Sequence, residues 1–336
     1  LGEGYVRLRV SEAERRQAKH DIQHVEDIVI EMLRNARDAG ADKVYLATTK
    51  EDGVRTLVFL DNGSGVPQDM QERIFDARVT SKLESMKMDR WGVHGRGMAL
   101  FSIKQNTDEA RVVASDVDLG SVFKVSVATD RLGERADQSS WPQAVKDEDG
   151  NYVCARGPHN IIRAACEFAL EELRACDVYL GSPSEIAATL HVQASSRLDA
   201  SRLLFIDDEA ELPVVDRLGL ASDAEDFIRI CSGLGLEMSE RTAHRILAGQ
   251  IKPVRGVTAR LLRERDSSSH ASAPVDLAKD RRGLRIAKDD MAQFSRAVER
   301  DFNDLAARYY LNLCGDPKIR VSRDRITVTF DLAKEE

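Results

Sequence analysis

Long apolar runs are missing from this sequence. No stretch of its 336 residues approaches the ~18 consecutive apolar residues of a membrane-spanning helix, so no membrane partner is expected. Cysteine is sparse, with five residues at positions 154, 166, 176, 231 and 314 and no CxxC pair. An odd, scattered set excludes a disulfide scaffold and a zinc framework, and reads as buried thiols of a cytoplasmic protein. Aromatic residues make up only 5%, which leaves little material for stacking single-stranded nucleic acid. The opening stretch LGEGYVRLRVSEAERRQ has no apolar h-region, so no signal peptide is read there. With Leu1 in place of a methionine, the completeness of that end is open. There is no internal repeat.

What is present is the material of a packed core: 42% apolar and 32% charged residues. The length suits roughly two domains. Lys and Arg number 49 against 57 Asp and Glu, a formal charge of −8. Net acidity does not decide against nucleic acid, because local patches do.

The spacing predicts one long helix over 14–39, with Val25, Ile28, Val29, Met32, Leu33 and Ala36 on its apolar face and Gly40 as the stop. KVYLATT (43–49) and RTLVFLD (55–61) read as strands around the turn EDG. DNGSGVP (61–67) is a loop, 68–75 a short helix, 76–97 a mobile cover and 97–105 a helix. Strands return at 110–115 and 120–129. This order predicts an α+β fold, a helix layer on a mixed, mostly antiparallel sheet. The expected division is 1–130, an α/β extension over 131–220, a helical segment over 221–266 and a C-terminal helix plus strand pair over 275–336. Within it, 222–265 reads as wholly helical, SSSHASAP (267–274) as a linker, 287–309 as a long helix, and KIRVS with RITVTF as strands.

Three motifs carry chemistry. Glu31 and Asn35 in EMLRNARDAGA lie one helical turn apart on one face. A carboxylate there can hold and deprotonate a water. An amide oxygen one turn away can ligate Mg²⁺, which favours phosphate oxygens and keeps waters. In DNGSGVP, Asp61 ends a strand, and Gly63 and Gly65 let backbone pass close to a flat ligand. In GVHGRGMAL (92–100), three glycines before a helix offer backbone N–H groups to phosphate. Each motif alone has a plain alternative: a solvated polar stripe, a surface Asn-Gly turn, a flexible loop.

Their order within one short segment resembles the Bergerat-fold (GHKL) ATPases, which include gyrase B subunits, large heat-shock chaperone ATPases, histidine kinases, MutL mismatch-repair proteins and type VI topoisomerase B subunits. EMLRNARDAGA is similar to their N box, DNGSGVP to their adenine box and GVHGRGMAL to their second glycine box. RIFDARVTSK looks like a lid start, and LGSVFKVSV (119–127) like the third box. The resemblance spans roughly residues 15–130. It implies ATP and Mg²⁺ as cofactors. Glu31 would then be the general base and Asn35 the Mg²⁺ ligand, with Asp38 in the same nucleotide-binding set. Asp61 would hold the adenine amino group beside Gly63 and Gly65. Gly92, Gly95 and Gly97 would wrap the phosphates, with Thr80 and Lys82 as lid contacts; His94 matches a His of gyrase-type glycine boxes, and Arg96 would reach phosphate. Ser121 would help hold adenine through water.

Glu31 separates branches of the family. Histidine kinases carry Asn at that position, so a Glu favours hydrolysis. The GVHGRG box is nearer gyrase and MutL than kinases, although MutL usually has Phe-Arg-Gly-Glu where this chain has Val93-His94-Gly95-Arg96. Farther on, GLEMSERTAHRILAGQIKPVRGVTARLLRER (235–265) resembles a phage-repressor helix-turn-helix, whose second helix enters the major groove. Arg241, Thr242 and Arg245 are its candidate contacts, and Lys252, Arg255, Arg260, Arg263 and Arg265 add a basic patch. The bland alternative is a helical packing subdomain with solvated arginines. The expectation is an ATP-driven switch in a DNA transaction, dimerising on ATP or docking a partner protein. A histidine or serine kinase, a chaperone-like ATPase and a non-catalytic ATP-sensing regulator remain the rivals.

Overall fold

The computed structural model describes residues 6–7, 12–77, 79–80, 87–89, 92–94, 97–135, 137–173, 175–198, 206, 208–262, 288–306, 311–315, 317–321 and 326–334. Leu1–Ser267 form one compact unit and Ser268–Glu336 a second.

In the first unit, β1 (Val6–Arg7) precedes helices α1 (Glu12–Asp21) and α2 (Val25–Asp38). The expected single helix over 14–39 is therefore two. The break has a polar cause: the Asp27 carboxylate accepts the backbone N–H groups of Gln23 and His24, both at 2.9 Å, and starts a new helix. The apolar stripe of α2 is buried as its spacing requires. Its end is a Schellman motif, with Gly40 N–H donating to Arg37 O and Ala41 N–H to Ala36 O at 3.0 Å.

Strands β2 (Lys43–Glu51) and β3 (Val54–Asp61) form a hairpin, followed by two 3₁₀ turns, Gln68–Met70 and Arg73–Phe75, where one short helix was expected. Then come β4 (Val79–Thr80), β5 (Lys87–Asp89), β6 (Gly92–His94), α3 (Ala99–Asn106), β7 (Glu109–Ser115) and β8 (Ser121–Ala128). β9 (Gln143–Lys146) pairs with β10 (Tyr152–Arg156), and α4 (Ile161–Glu171), β11 (Asp177–Gly181) and α5 (Pro183–Arg197) follow. The main sheet runs β11-β2-β3-β8-β7, antiparallel except for the parallel β11–β2 pair.

Alternation along the strands divides two cores. Val44, Leu46, Leu57, Phe59, Phe123 and Val125 pack with α2 and α4. Tyr45, Ala47, Val58, Leu60 and Val122 pack with α5 and with residues of 214–246. The sheet is thus covered on both faces, which the near-continuous apolar runs VYLA and LVFL permit. The segment expected to be wholly helical contains helices Ala224–Gly233 and Glu240–Leu247, and helical residues at 257–262. Gly235 and Gly249, at φ +69° and +67°, interrupt it. Past the second interruption the chain crosses the sheet edge, where Gly256 bridges Tyr179, and Val257 and Leu261 join the α2-side core.

In the second unit, helix Lys288–Ala306 accompanies two antiparallel pairs, Lys318–Val321 with Ile326–Thr329 and Leu311–Leu313 with Leu332–Lys334. Phe302 stacks on Phe330 at 4.0 Å. Four cysteines are buried, but Cys314 is exposed, against expectation. Burial pushes the thiols of Cys176 and Cys231 up to about 12, which leaves them unreactive. Among the described residues, no helix is long and apolar enough to cross a membrane.

Phe227 is fully buried between helix Ala224–Gly233 and the sheet. Phe227→Ala should therefore destabilise the whole first unit by about 3–5 kcal/mol. Thermal unfolding followed by circular dichroism checks this; a change confined to a separate helical transition would contradict an integral second layer.

Candidate functional site

The site is built where the α2-side stripe of the sheet ends. Leu57, Phe59 and Asp61 alternate along β3, and Ser121, Phe123 and Val125 along β8. Asp61 pairs with Ser121 in register, and Ser121 with Ser115 of β7. Directly opposed residues share a face. Three polar side chains therefore form a row across β3, β8 and β7 on the face that α2 covers. Asp61 is 4% exposed and Ser121 3%.

A carboxylate in that position is costly. Burial raises the Asp61 pKa from its ordinary 3.8 to about 6, and backbone N–H groups of Gly63 and Ser121 pull it only partly back. Gly63 N–H donates to Asp61 Oδ1 at 2.8 Å. The loop after Asp61 is held tightly. Asn62 Oδ1 accepts the N–H groups of Asp42 and Lys43 at 3.1 and 2.9 Å. Ser64 N–H donates to Ala39 O at 2.9 Å and ties the loop to the end of α2. Gly65, at φ +71°, is demanded by space as well: a Cβ there would sit 1.7 Å from Asp116 O. Gly120 likewise approaches Asp61 O, to within 2.1 Å of where its Cβ would stand.

On α2, Glu31 and Asn35 lie one turn apart, both half-buried. Arg34, 3% exposed, places Nη1 2.6 Å from Glu31 Oε1. Sequence spacing gave Arg34 no role. Asp38 is engaged by Arg37, whose Nε lies 3.2 Å from Asp38 Oδ1 and whose Nη1 lies 3.0 Å from Glu172 Oε1. The Asn35 Nδ2 atom is buried without a hydrogen-bond partner, so this amide is not committed to the protein through that atom. No cluster of three His, Cys, Asp or Glu side chains suited to a metal occurs among the described residues. A single amide beside phosphate oxygens and waters is a donor set that fits Mg²⁺.

The structure brings Asp61, Gly63, Gly65 and Ser121 together and joins them to the end of the helix bearing Glu31 and Asn35. Thr80 pairs with Val6, and Gly92 and His94 lie in the β5–β6 hairpin opposite Asp89 and Lys87. Gly97, at φ +64°, lies two residues before α3. Lys82, Gly95 and Arg96 lie outside the described residues, as do Arg263, Arg265 and the 267–274 linker. Ser115 was missed. It accepts Val66 N–H at 2.8 Å and donates to Gly120 O at 2.8 Å.

Away from this row, helix Glu240–Leu247 buries Ala243 and Ile246 and lines a shallow groove with Glu240, Arg241, His244, Arg245, Ala248 and Gln250. Ser239 caps that helix, with Thr242 N–H donating to its hydroxyl. Lys252 and Arg255 are exposed. Arg260 instead stacks over Trp141 at 3.9 Å.

A buried acceptor row beside a glycine-bearing loop, tied to the end of a Glu–Asn helix, is an arrangement whose chemistry suits a nucleotide. The family described as histidine kinase-, DNA gyrase B- and HSP90-like ATPases matches residues 22–115. Over those residues the chain is similar to the GHKL ATPases. The DNA mismatch repair proteins MutL of Staphylococcus aureus strains Newman and JH1 are each 28% identical over 136 residues, 38% of this chain and 20% of theirs. The match thus spans about a fifth of the length of those relatives.

The raised Asp61 pKa makes a signed prediction. Ionising Asp61 penalises the folded state, so stability is lost as pH rises from about 4 to about 6 and is constant above. The loss is on the order of 3 kcal/mol. Asp61→Asn removes it. The melting-temperature advantage of the variant should grow between pH 4 and 6.5; an advantage independent of pH would contradict the burial argument.

Proposed function

We propose that this chain is an Mg-ATP-binding, slowly hydrolysing conformational switch that acts in a DNA transaction. The observation that carries the nucleotide reading is the buried Asp61 carboxylate, an acceptor-only group suited to an adenine amino group, at the end of a strand and beside Gly63. Asn35 would hold Mg²⁺, which when bound neutralises phosphate charge. Glu31 orients water and takes its proton, and Arg34 Nη1, 2.6 Å from Glu31 Oε1, holds that carboxylate in place. The glycines at 92–97 would wrap the phosphates, and the ATP-bound, closed state favours dimerisation or docking of a partner. ATP shifts that equilibrium only by its differential affinity for the closed form.

Phosphate release from Mg-ATP tests the hydrolytic part. Glu31→Ala should lose at least about 100-fold in turnover while binding ATP within a few-fold of wild type. Equal turnover in both proteins, or labelled phosphate appearing on a protein, would replace this reading with a sensor or a kinase.

The DNA part is supported by the donor-rich face of helix Glu240–Leu247 and by the likeness to proteins named for DNA mismatch repair. Duplex DNA binding should weaken steeply with salt, and Arg241→Ala and Arg245→Ala should each reduce the slope of log K against log salt by about 1. Salt-insensitive binding, or none, would favour a chaperone-like ATPase.

A further inference from the structure

We propose that Ser115 is a positioning residue that fixes the polarity of the Ser121 hydroxyl, so that the polar row presents acceptors to a base carrying an exocyclic amino group. The proposal rests on the nucleotide reading above and names a residue that the motif spacing did not.

The argument is a count of protons. Ser115 Oγ has one hydrogen and two lone pairs. Gly120 O, 2.8 Å away, can only accept, so it takes the Ser115 hydrogen. Val66 N–H, 2.8 Å away, can only donate, so it takes one lone pair. One lone pair remains, and Ser121 Oγ lies 3.1 Å from it. Ser121 is therefore the donor in that contact, and its hydrogen points along the row toward β7. What Ser121 has left is lone pairs. Beside it stands Asp61, ionised above its raised pKa and then acceptor-only.

A row of acceptors fits an amino group and opposes a carbonyl. Adenine carries an amino group at its sixth position, and hypoxanthine carries a carbonyl there. Selection of this kind is strong, because the wrong base leaves buried polar groups unpaired. Ser115 is too well buried to be a plain surface residue of β7. Its carbonyl also accepts Gln71 Nε2 at 2.9 Å, which ties the end of β7 to the turns after β3.

The test compares ATP with ITP by calorimetric titration of the full chain at pH 8, where Asp61 is ionised. Wild type should prefer ATP at least tenfold. Ser115→Ala frees the Ser121 hydrogen to turn toward the ligand, so the ATP:ITP preference should fall at least fivefold, mainly through tighter ITP binding. Ser115→Thr keeps the hydroxyl and should restore the preference. A merely structural Ser115 would weaken both nucleotides alike and leave their ratio unchanged, which overturns the proposal. Should Ser115→Ala not fold, Ser121→Ala gives the same reading: it deletes the oriented hydroxyl and must narrow the preference, and an unchanged ratio overturns the proposal. Wild type that binds neither nucleotide defeats the nucleotide reading itself, a result distinct from bound ATP with an unaltered ratio.

Discussion

One buried carboxylate sets the terms for the rest of this site. Asp61 ends an otherwise apolar stripe, and its raised pKa shows that its hydrogen bonds do not fully replace water. Backbone must crowd around it to supply even those bonds. Gly120, next to one of those donors, lies so near Asp61 O that a Cβ there would overlap it. The loop is held independently at two more points, by the close approach of Gly65 to Asp116 O and by the amide brace of Asn62 against the start of β2.

The second helical layer bears on the same loop. Val214 N–H donates to Leu119 O at 2.9 Å, and the Val214 side chain packs under Gly120. The Leu119–Gly120 loop is thus buttressed by residues far downstream of the matched segment. The same core contains Leu234, Ala243 and Ile246. Close-packed interiors transmit strain rather than absorb it, so the loop and the groove-bearing helix share one packed body.

Much of this was legible in sequence. The α2 stripe, the β2–β3 hairpin and the return strands follow from periodicity, and the Glu–Asn and Asp-Gly spacings pick out residues on α2 and at the end of β3. The second layer was harder to see because fully apolar strands read alike whether one face is covered or both. The helix break at Ile22–His24 escaped because its signal is a single Asp reaching backward to two N–H groups. Ser115 escaped for a geometric reason. Val112 pairs with Phe123, but Ala114 pairs with Val122 across a bulge. Strict alternation from Val112 sends Ser115 to the other face; the bulge adds a residue and returns it to the row with Ser121.

The choice of carboxylate over amide at position 61 follows from what each can present. An Asn offers a donor and an acceptor and can turn to suit either kind of base. An ionised Asp offers acceptors alone, whichever way it turns. That lack of choice is what the proposed selectivity needs, and the desolvation of the charge is its cost. A hydroxyl has the same weakness as an amide, because it rotates. Ser121 escapes that weakness only if something consumes its hydrogen, and a neighbour already saturated as a donor does so. The raised pKa at Asp61 and the filled hydrogen-bonding capacity of Ser115 thus have one consequence: above that pKa, Asp61 and Ser121 are left with lone pairs to offer.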